Sequence, residues 1–213
     1  MVKSYTRAQL TALALAMGFA VAGPAEAQRA SGAAVAHADH AAHAGTLAAD
    51  TASHDSLDSA SAHGIEVDFE LLDRHGNFVT DEDFLGRYVL LGFGFTHCAH
   101  ICPMMALNMG KALAMTGLDA AGIFISVDTE RDSPEVTDNY ASHFGDSMRG
   151  LGGNYEQVSA AAANFKVSFA VTKTQNNYTV QHTANVYVID PAGELLDVFT
   201  FATPPETLLA AMQ

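Results

Sequence analysis

Basic residues are scarce in this chain of 213 residues: 10 lysines and arginines stand against 24 aspartates and glutamates, a formal net charge of −14. That balance argues against nucleic acid or an anionic lipid surface as a partner, because binding phosphate-rich surfaces needs clustered basic side chains. A basic protein or a cation suits it better. Long apolar runs are lacking too. The stretch from Leu10 to Val21 is shorter than the roughly 20 residues a membrane-spanning helix needs and is broken by Thr11 and Gly18. No Gly-rich phosphate loop and no Ser-His-Asp constellation stands out, so neither nucleotide nor serine-hydrolase chemistry is indicated. Proline is absent between Pro134 and Pro191. Cysteine is the scarcest chemically active residue, and its only two copies, Cys98 and Cys102, fall in one stretch, Phe-Thr-His-Cys-Ala-His-Ile-Cys-Pro-Met from Phe95 to Met104.

The first 27 residues have the form of a secretory signal. Lys3 and Arg7 make a basic head, Leu10 to Val21 the apolar run, and Ala25-Glu26-Ala27 a small-x-small cleavage pattern. The expected location is the periplasm; an uncleaved segment would instead anchor the chain to the inner membrane. Removal of residues 1–27 takes away two basic residues and one acidic residue, leaving −15. In an oxidising compartment a close cysteine pair forms a disulfide by default, so thiols that work reduced need a reductant.

Residues 28–64 read as a flexible leader. Ala, Ser, Asp, His, Gly and Thr dominate, with no aromatic residue, and such a segment buries too little apolar area to offset the entropy of ordering. His37, His40, His43, His54 and His63 lie in it, a composition that also suits weak capture of copper or zinc.

Residues 65–213 read as one folded domain. Glu66 to Leu72, the turn Asp73-Arg74-His75-Gly76-Asn77 and Phe78-Val79 form a hairpin pattern. Tyr88 to Phe95 and Gly122 to Asp128 are near-continuous apolar runs, as expected of strands buried on both faces. Helices are predicted from about Pro103 to Met115, after Asp132 or Ser133 with Pro134 in the first turn, over Tyr155 to Phe165, and over Pro204 to Met212. Glycines 150, 152 and 153 read as a break, and the turn Pro191-Ala192-Gly193-Glu194 joins a second strand pair. The fold class is α/β, a mixed central sheet flanked by helices with an N-terminal hairpin.

Both cysteines follow a buried strand, where α/β folds place ligand sites. Pro103 suits the first helical position, which puts Cys102 near the N-cap and both sulfurs near the positive helix end, a placement that favours thiolate. Three intervening residues exceed the usual dithiol oxidoreductase spacing, yet a disulfide remains open. Two thiolates suit Cu(I), or zinc with further ligands, and His97, His100, His143 and His182 are the candidate third ligands. Met104, Met105, Met109 and Met115 offer thioether donors for copper, but Met105 and Met109 are four apart on one helix face, which reads as core packing. Asp128, Glu130, Arg131 and Asp132 read as residues that shape and cap the second helix.

Three separate stretches, Gly-Phe-Gly-Phe-Thr-His-Cys-Ala-His-Ile-Cys-Pro (92–103), Ser-Val-Asp-Thr-Glu-Arg-Asp-Ser-Pro-Glu (126–135) and His-Thr-Ala-Asn-Val-Tyr-Val-Ile-Asp-Pro-Ala-Gly-Glu-Leu-Leu-Asp-Val-Phe (182–199), together resemble the Sco family. Its members are thioredoxin-like copper chaperones linked to assembly of the CuA centre of cytochrome c oxidase. The resemblance implies copper, as Cu(I) or Cu(II), held by Cys98, Cys102 and His182. It also implies an acceptor, either the oxidase subunit carrying CuA or another copper protein, and a periplasmic thiol reductant. Ala99-His100 stands where the family commonly has Pro-Asp, which adds His100 as a candidate ligand. Family members are usually membrane-anchored, so a cleaved signal would leave this one free. Two rival functions are a thiol–disulfide oxidoreductase acting on the acceptor's cysteines and a copper or redox sensor.

Overall fold

The computed structural model describes residues 64–213; the signal at 1–27 and nearly all of the leader lie outside the described residues. A small antiparallel hairpin, β1 (Glu70–Leu72) with β2 (Phe78–Thr80), comes first, closed by Asp73, whose carboxylate accepts from the His75 and Asn77 amides. A 3₁₀ turn over Asp81–Phe84 leads into the central strand β3 (Tyr88–Gly94), followed by α1 (Ile101–Met115), β4 (Ala120–Ser126), α2 (Pro134–Ser142), β5 (Met148–Leu151) and α3 (Tyr155–Asn164). A second hairpin, β6 (Phe169–Thr174) with β7 (Asn177–His182), precedes β8 (Asn185–Ile189), β9 (Leu195–Thr200) and α4 (Pro205–Ala210).

The five-stranded sheet has the order β5-β4-β3-β8-β9. Strands β3, β4 and β5 run parallel, joined by α1 and α2, while β8 pairs antiparallel with β3 and β9 antiparallel with β8, so the sheet is mixed as expected. Alternation along the strands divides the core into two layers. Val89, Leu91 and Phe93 of β3 face α3 and the β1–β2 hairpin, where Phe165 and Tyr187 pack edge to face. Leu90 faces the opposite layer, formed by α1, α4 and the end of α2. Among the described residues no helix is long and apolar enough to cross a membrane.

Two elements differ from the sequence-based expectation. The break read at Gly150 is part of β5, whose backbone lies so close to Thr137 that a side chain there would strike the helix α2. The segment 169–182, which carried no prediction, is the β6–β7 hairpin. Among the described residues it pairs only with itself, forming a sheet separate from the central one.

Close approach also governs α1. A Cβ at Gly110 would fall on the Phe144 carbonyl oxygen. Helix propensity alone favours Gly→Ala by about 1 kcal/mol, but the rigid carbonyl makes the steric cost larger. Gly110→Ala is therefore expected to lose about 2 kcal/mol and roughly 4–8 °C of melting temperature. Thermal unfolding followed by circular dichroism checks it, and a raised midpoint contradicts the packing argument.

Candidate metal centre

The strand β8 begins beside the end of β3, because the two run antiparallel with Gly92 opposite Val186. The chain leaving β3 carries the cysteines, and the chain arriving at β8 carries His182. Topology thus brings together side chains that are far apart in sequence.

Helix α1 starts earlier than the proline suggests. His100 is the N-cap, Ile101 the first helical residue, and Pro103 sits third. The first-turn amides lack intrahelical partners, so a proline is tolerated there without loss of a hydrogen bond. Cys102 is consequently inside the first turn and fully buried, not on an open loop. Its sulfur lies over Gly94, where a Cβ would come within 3.0 Å of Sγ and 2.5 Å of the Phe124 ring. Cys98 remains half-exposed on the connecting loop, and both thiols are free.

The two sulfurs have opposite acid–base character. Partial burial works against ionisation of Cys98, but donation from the Cys102 amide at 3.4 Å, the Cys102 thiol and the His100 and Ile101 amides outweighs it, so its pKa is lowered. Burial pushes the Cys102 thiol well above the ordinary range, and the proximity of Cys98 adds to the rise. The expectation that helix position would favour thiolate at both sulfurs therefore holds for Cys98 and fails for Cys102, where desolvation dominates.

His182 closes β7 opposite Phe169. Its Nδ1 lies 2.8 Å from the Thr183 carbonyl oxygen. A carbonyl can only accept, so Nδ1 carries the proton and Nε2 the lone pair. Nε2 is 3.5 Å from Cys102 Sγ. Burial lowers the His182 pKa despite the Thr183 contact, which keeps the ring neutral at neutral pH. Phe95 meets the imidazole edge to face, with ring centroids 5.7 Å apart. Contacts run in series, from Cys98 to Cys102 to His182; among the described residues no group of three His, Cys, Asp or Glu side chains already surrounds a common metal position.

The other candidate ligands go elsewhere. His97 is exposed, with Nδ1 3.1 Å from Thr96 Oγ1. His100 is exposed at the N-cap of α1, and His143 turns to the Asn139 carbonyl at the end of α2. Met105 and Met109 are fully buried in the layer beneath α1, as core residues, whereas Met104 and Met115 are exposed.

Sequence reasoning missed how the cysteine loop is held. Ser133, not Asp132, caps α2, accepting from the Val136 amide. The buried Asp132 carboxylate instead accepts from the Thr96 amide at 2.7 Å, the Thr96 hydroxyl at 2.6 Å and the Ser126 hydroxyl at 2.6 Å. Asp128 is fully buried as well and accepts from Arg131 Nε at 2.5 Å and the Tyr178 hydroxyl at 2.5 Å. The position of Asp132 beside a helix start signals a cap; nothing in its spacing signals a contact with Thr96.

A mixed sheet flanked by helices, with a dithiol where its central strand meets a helix, places the molecule among thioredoxin-like proteins. Within that class the chain belongs to the SCO1/SenC family, whose pattern residues 58–213 match. It is 36% identical to Protein sco1 of Schizosaccharomyces pombe over 152 residues, 68% of this chain and 58% of that one, so it spans little more than half of that relative. The structure of Bradyrhizobium japonicum ScoI with copper bound superposes with a TM-score of 0.61 at 33% identity, covering 68% of this chain and 96% of that one. BsSco, described as having a disulfide switch and as a member of the Sco family of cytochrome c oxidase assembly proteins, superposes at 0.56 with 27% identity, covering 72% of this chain and 92% of that one.

Proposed function

We propose that this protein is a periplasmic copper chaperone that binds one copper ion through Cys98 Sγ, Cys102 Sγ and His182 Nε2 and delivers it to the CuA-bearing subunit of cytochrome c oxidase or another copper acceptor. The observation that carries the reading is the neutral His182 ring, with its lone pair turned to the buried sulfur at 3.5 Å. Two thiols and one imidazole form a soft donor set that suits Cu(I), while the nitrogen also suits Cu(II). Cys98, half-exposed on its loop, is the ligand able to move onto an ion held by the other two. The same exposure leaves one side open for an acceptor's ligands, so the ion passes by exchange rather than by release. Copper-bound relatives support the choice of metal, and a relative in oxidase assembly supports the kind of partner. The signal-like residues 1–27 support export.

A second reading rests on the thiol asymmetry. An accessible thiol of lowered pKa in front of a buried one is the arrangement of an attacking and a resolving cysteine. Cys98 thiolate would attack a disulfide in the acceptor, and Cys102 would displace the acceptor's remaining sulfur, leaving Cys98–Cys102 oxidised and two acceptor thiols free. A periplasmic thiol reductant would then restore the pair.

The test uses the full chain with His37, His40, His43, His54 and His63 changed to Ser, so that leader imidazoles do not bind the probe. Anaerobic Cu(I) titration against a competing chelator is expected to show one tight equivalent. His182→Ala should weaken it by about 100-fold or more, since even loss of a group that only orients a ligand costs about 10–100-fold. Its thiol reductase activity should persist. Tight one-equivalent binding in His182→Ala overturns the ligand assignment, and collapse of reductase activity instead favours the second reading.

A further inference from the structure

The β6–β7 hairpin carries His182 but gains no main-chain pairing from the central sheet. Just beyond its base the Thr183 amide donates to the Ser168 carbonyl, a bond that extends the hairpin's own ladder. Beyond the two-residue link from His182 to β8, the way the hairpin lies against the rest of the molecule therefore depends on side chains. Along β7, Tyr178, Val180 and His182 alternate with exposed residues and so share the inward face. Val180 packs on the layer around Phe93 and Phe165. Tyr178 does something more directional. Its hydroxyl donates to the buried Asp128 carboxylate at 2.5 Å, and the Arg131 guanidinium, bound to the same carboxylate, lies 3.9 Å from the centre of its ring. Burial, followed by the hydrogen bond to Asp128, pushes the Tyr178 pKa up to about 12, so the hydroxyl remains a donor at neutral pH. Lys173, across the hairpin, pairs with Glu130 of the same segment.

Asp128 to Asp132 is a single tight turn, with the Arg131 and Asp132 amides both donating to the Asp128 carbonyl. Its last carboxylate holds Thr96, two residues before Cys98. Its first holds Tyr178, four residues before His182. One five-residue turn is thus bonded to both halves of the site, gripping the thiol loop at one end and the imidazole hairpin at the other.

We infer that Tyr178, clamped by Asp128 and Arg131, is a positioning residue that fixes His182 against the thiols. This rests on the reading of His182 as a copper ligand. The Tyr178 hydroxyl touches no donor atom of the site; it acts by holding β7 at a set distance from the turn that also holds the cysteine loop.

The test is made in the full chain with the leader histidines changed to Ser. Tyr178→Phe removes the hydroxyl and keeps the ring over Arg131. Its Cu(I) dissociation constant is expected to rise about 10-fold, in the range found when groups that orient a ligand are lost. The melting temperature should stay within about 3 °C of the parent. In the reduced protein before copper is added, the nuclear Overhauser contact between the His182 and Phe95 rings should weaken. The double variant Tyr178→Phe/His182→Ala should bind no more weakly than His182→Ala alone, because the two substitutions remove one interaction. If His182→Ala itself leaves copper affinity unchanged, the ligand assignment falls, whatever Tyr178→Phe does. If His182→Ala weakens binding but Tyr178→Phe alters neither the affinity nor the ring contact, the positioning role is overturned. An affinity loss that tracks a large drop in melting temperature and persists with alanine at 182 shows general destabilisation and overturns it too.

Discussion

In the reduced protein at about pH 7.5, Cys98 is expected to be alkylated by iodoacetamide about 100-fold faster than Cys102. Only thiolate reacts, and the two thiols are displaced in opposite directions. For Cys98 the net shift is downward because hydrogen-bond donors outweigh partial burial, so the thiolate fraction at neutral pH exceeds that of an ordinary thiol. For Cys102, burial raises the pKa far enough that almost no thiolate forms, and the reagent has no path to a fully buried sulfur. Peptide mass spectrometry at short reaction times reads both sites at once. In denaturant the two rates should converge, which ties the difference to the fold. Equal rates in the native protein would show that Cys102 is not enclosed as described. The same asymmetry gives copper binding a pH dependence. With the proposed ligand set, coordination has to remove the Cys102 proton, so affinity is expected to rise with pH through the neutral range.

Asp132→Ala is expected to be the most destabilising change near the site, by roughly 3 kcal/mol. The carboxylate accepts three hydrogen bonds in a buried setting, and truncation leaves the Ser126 hydroxyl, the Thr96 amide and the Thr96 hydroxyl without that acceptor. For a folded region of this size the loss corresponds to roughly 6–12 °C in melting temperature. Asp132→Asn keeps one acceptor oxygen and should lose about half as much. Urea unfolding of the three proteins measures the series. An alanine variant as stable as the parent would mean that the cysteine loop is held by other contacts. Loss of this anchor should also free the residues ahead of Cys98, so its alkylation rate should change more than that of Cys102.

The elements legible in the sequence are those buried on both faces or bounded by strong turn chemistry. Tyr88–Gly94 and Ala120–Ser126 show as apolar runs because helices cover both sides of the sheet. Ser133 with Pro134 marks α2 because a cap and a first-turn proline act locally. The β6–β7 hairpin was not legible because one of its faces is solvated: Thr172, Thr179 and Gln181 dilute the apolar signal. The alternation of Tyr178, Val180 and His182 after the two-residue turn Gln175-Asn176 was the available clue. At the site, the spacing of the cysteines told which chemistry to consider, while the burial of Cys102 depended on the missing side chain of Gly94 on another element. Nothing local to position 182 shows that its ring meets a sulfur 80 residues earlier at 3.5 Å; that proximity comes from β8 lying antiparallel to β3. The sequence offers Asp132 or Ser133 as the cap of α2 and cannot choose between them, because capping is a local signal and the bond from Thr96 to Asp132 is a tertiary one.

That antiparallel pairing turns a short interval of chain into a length standard. Only Thr183 and Ala184 separate His182 from Asn185, the first residue locked into the sheet. One extra residue there would shift an extended chain by about 3.3 Å and turn its side chains to the opposite face. The displacement is comparable to the whole gap between nitrogen and sulfur. The tip of the β6–β7 hairpin can therefore vary in length far more freely than these two residues, and an insertion between them should abolish the proposed copper site while keeping every one of its residues in the sequence.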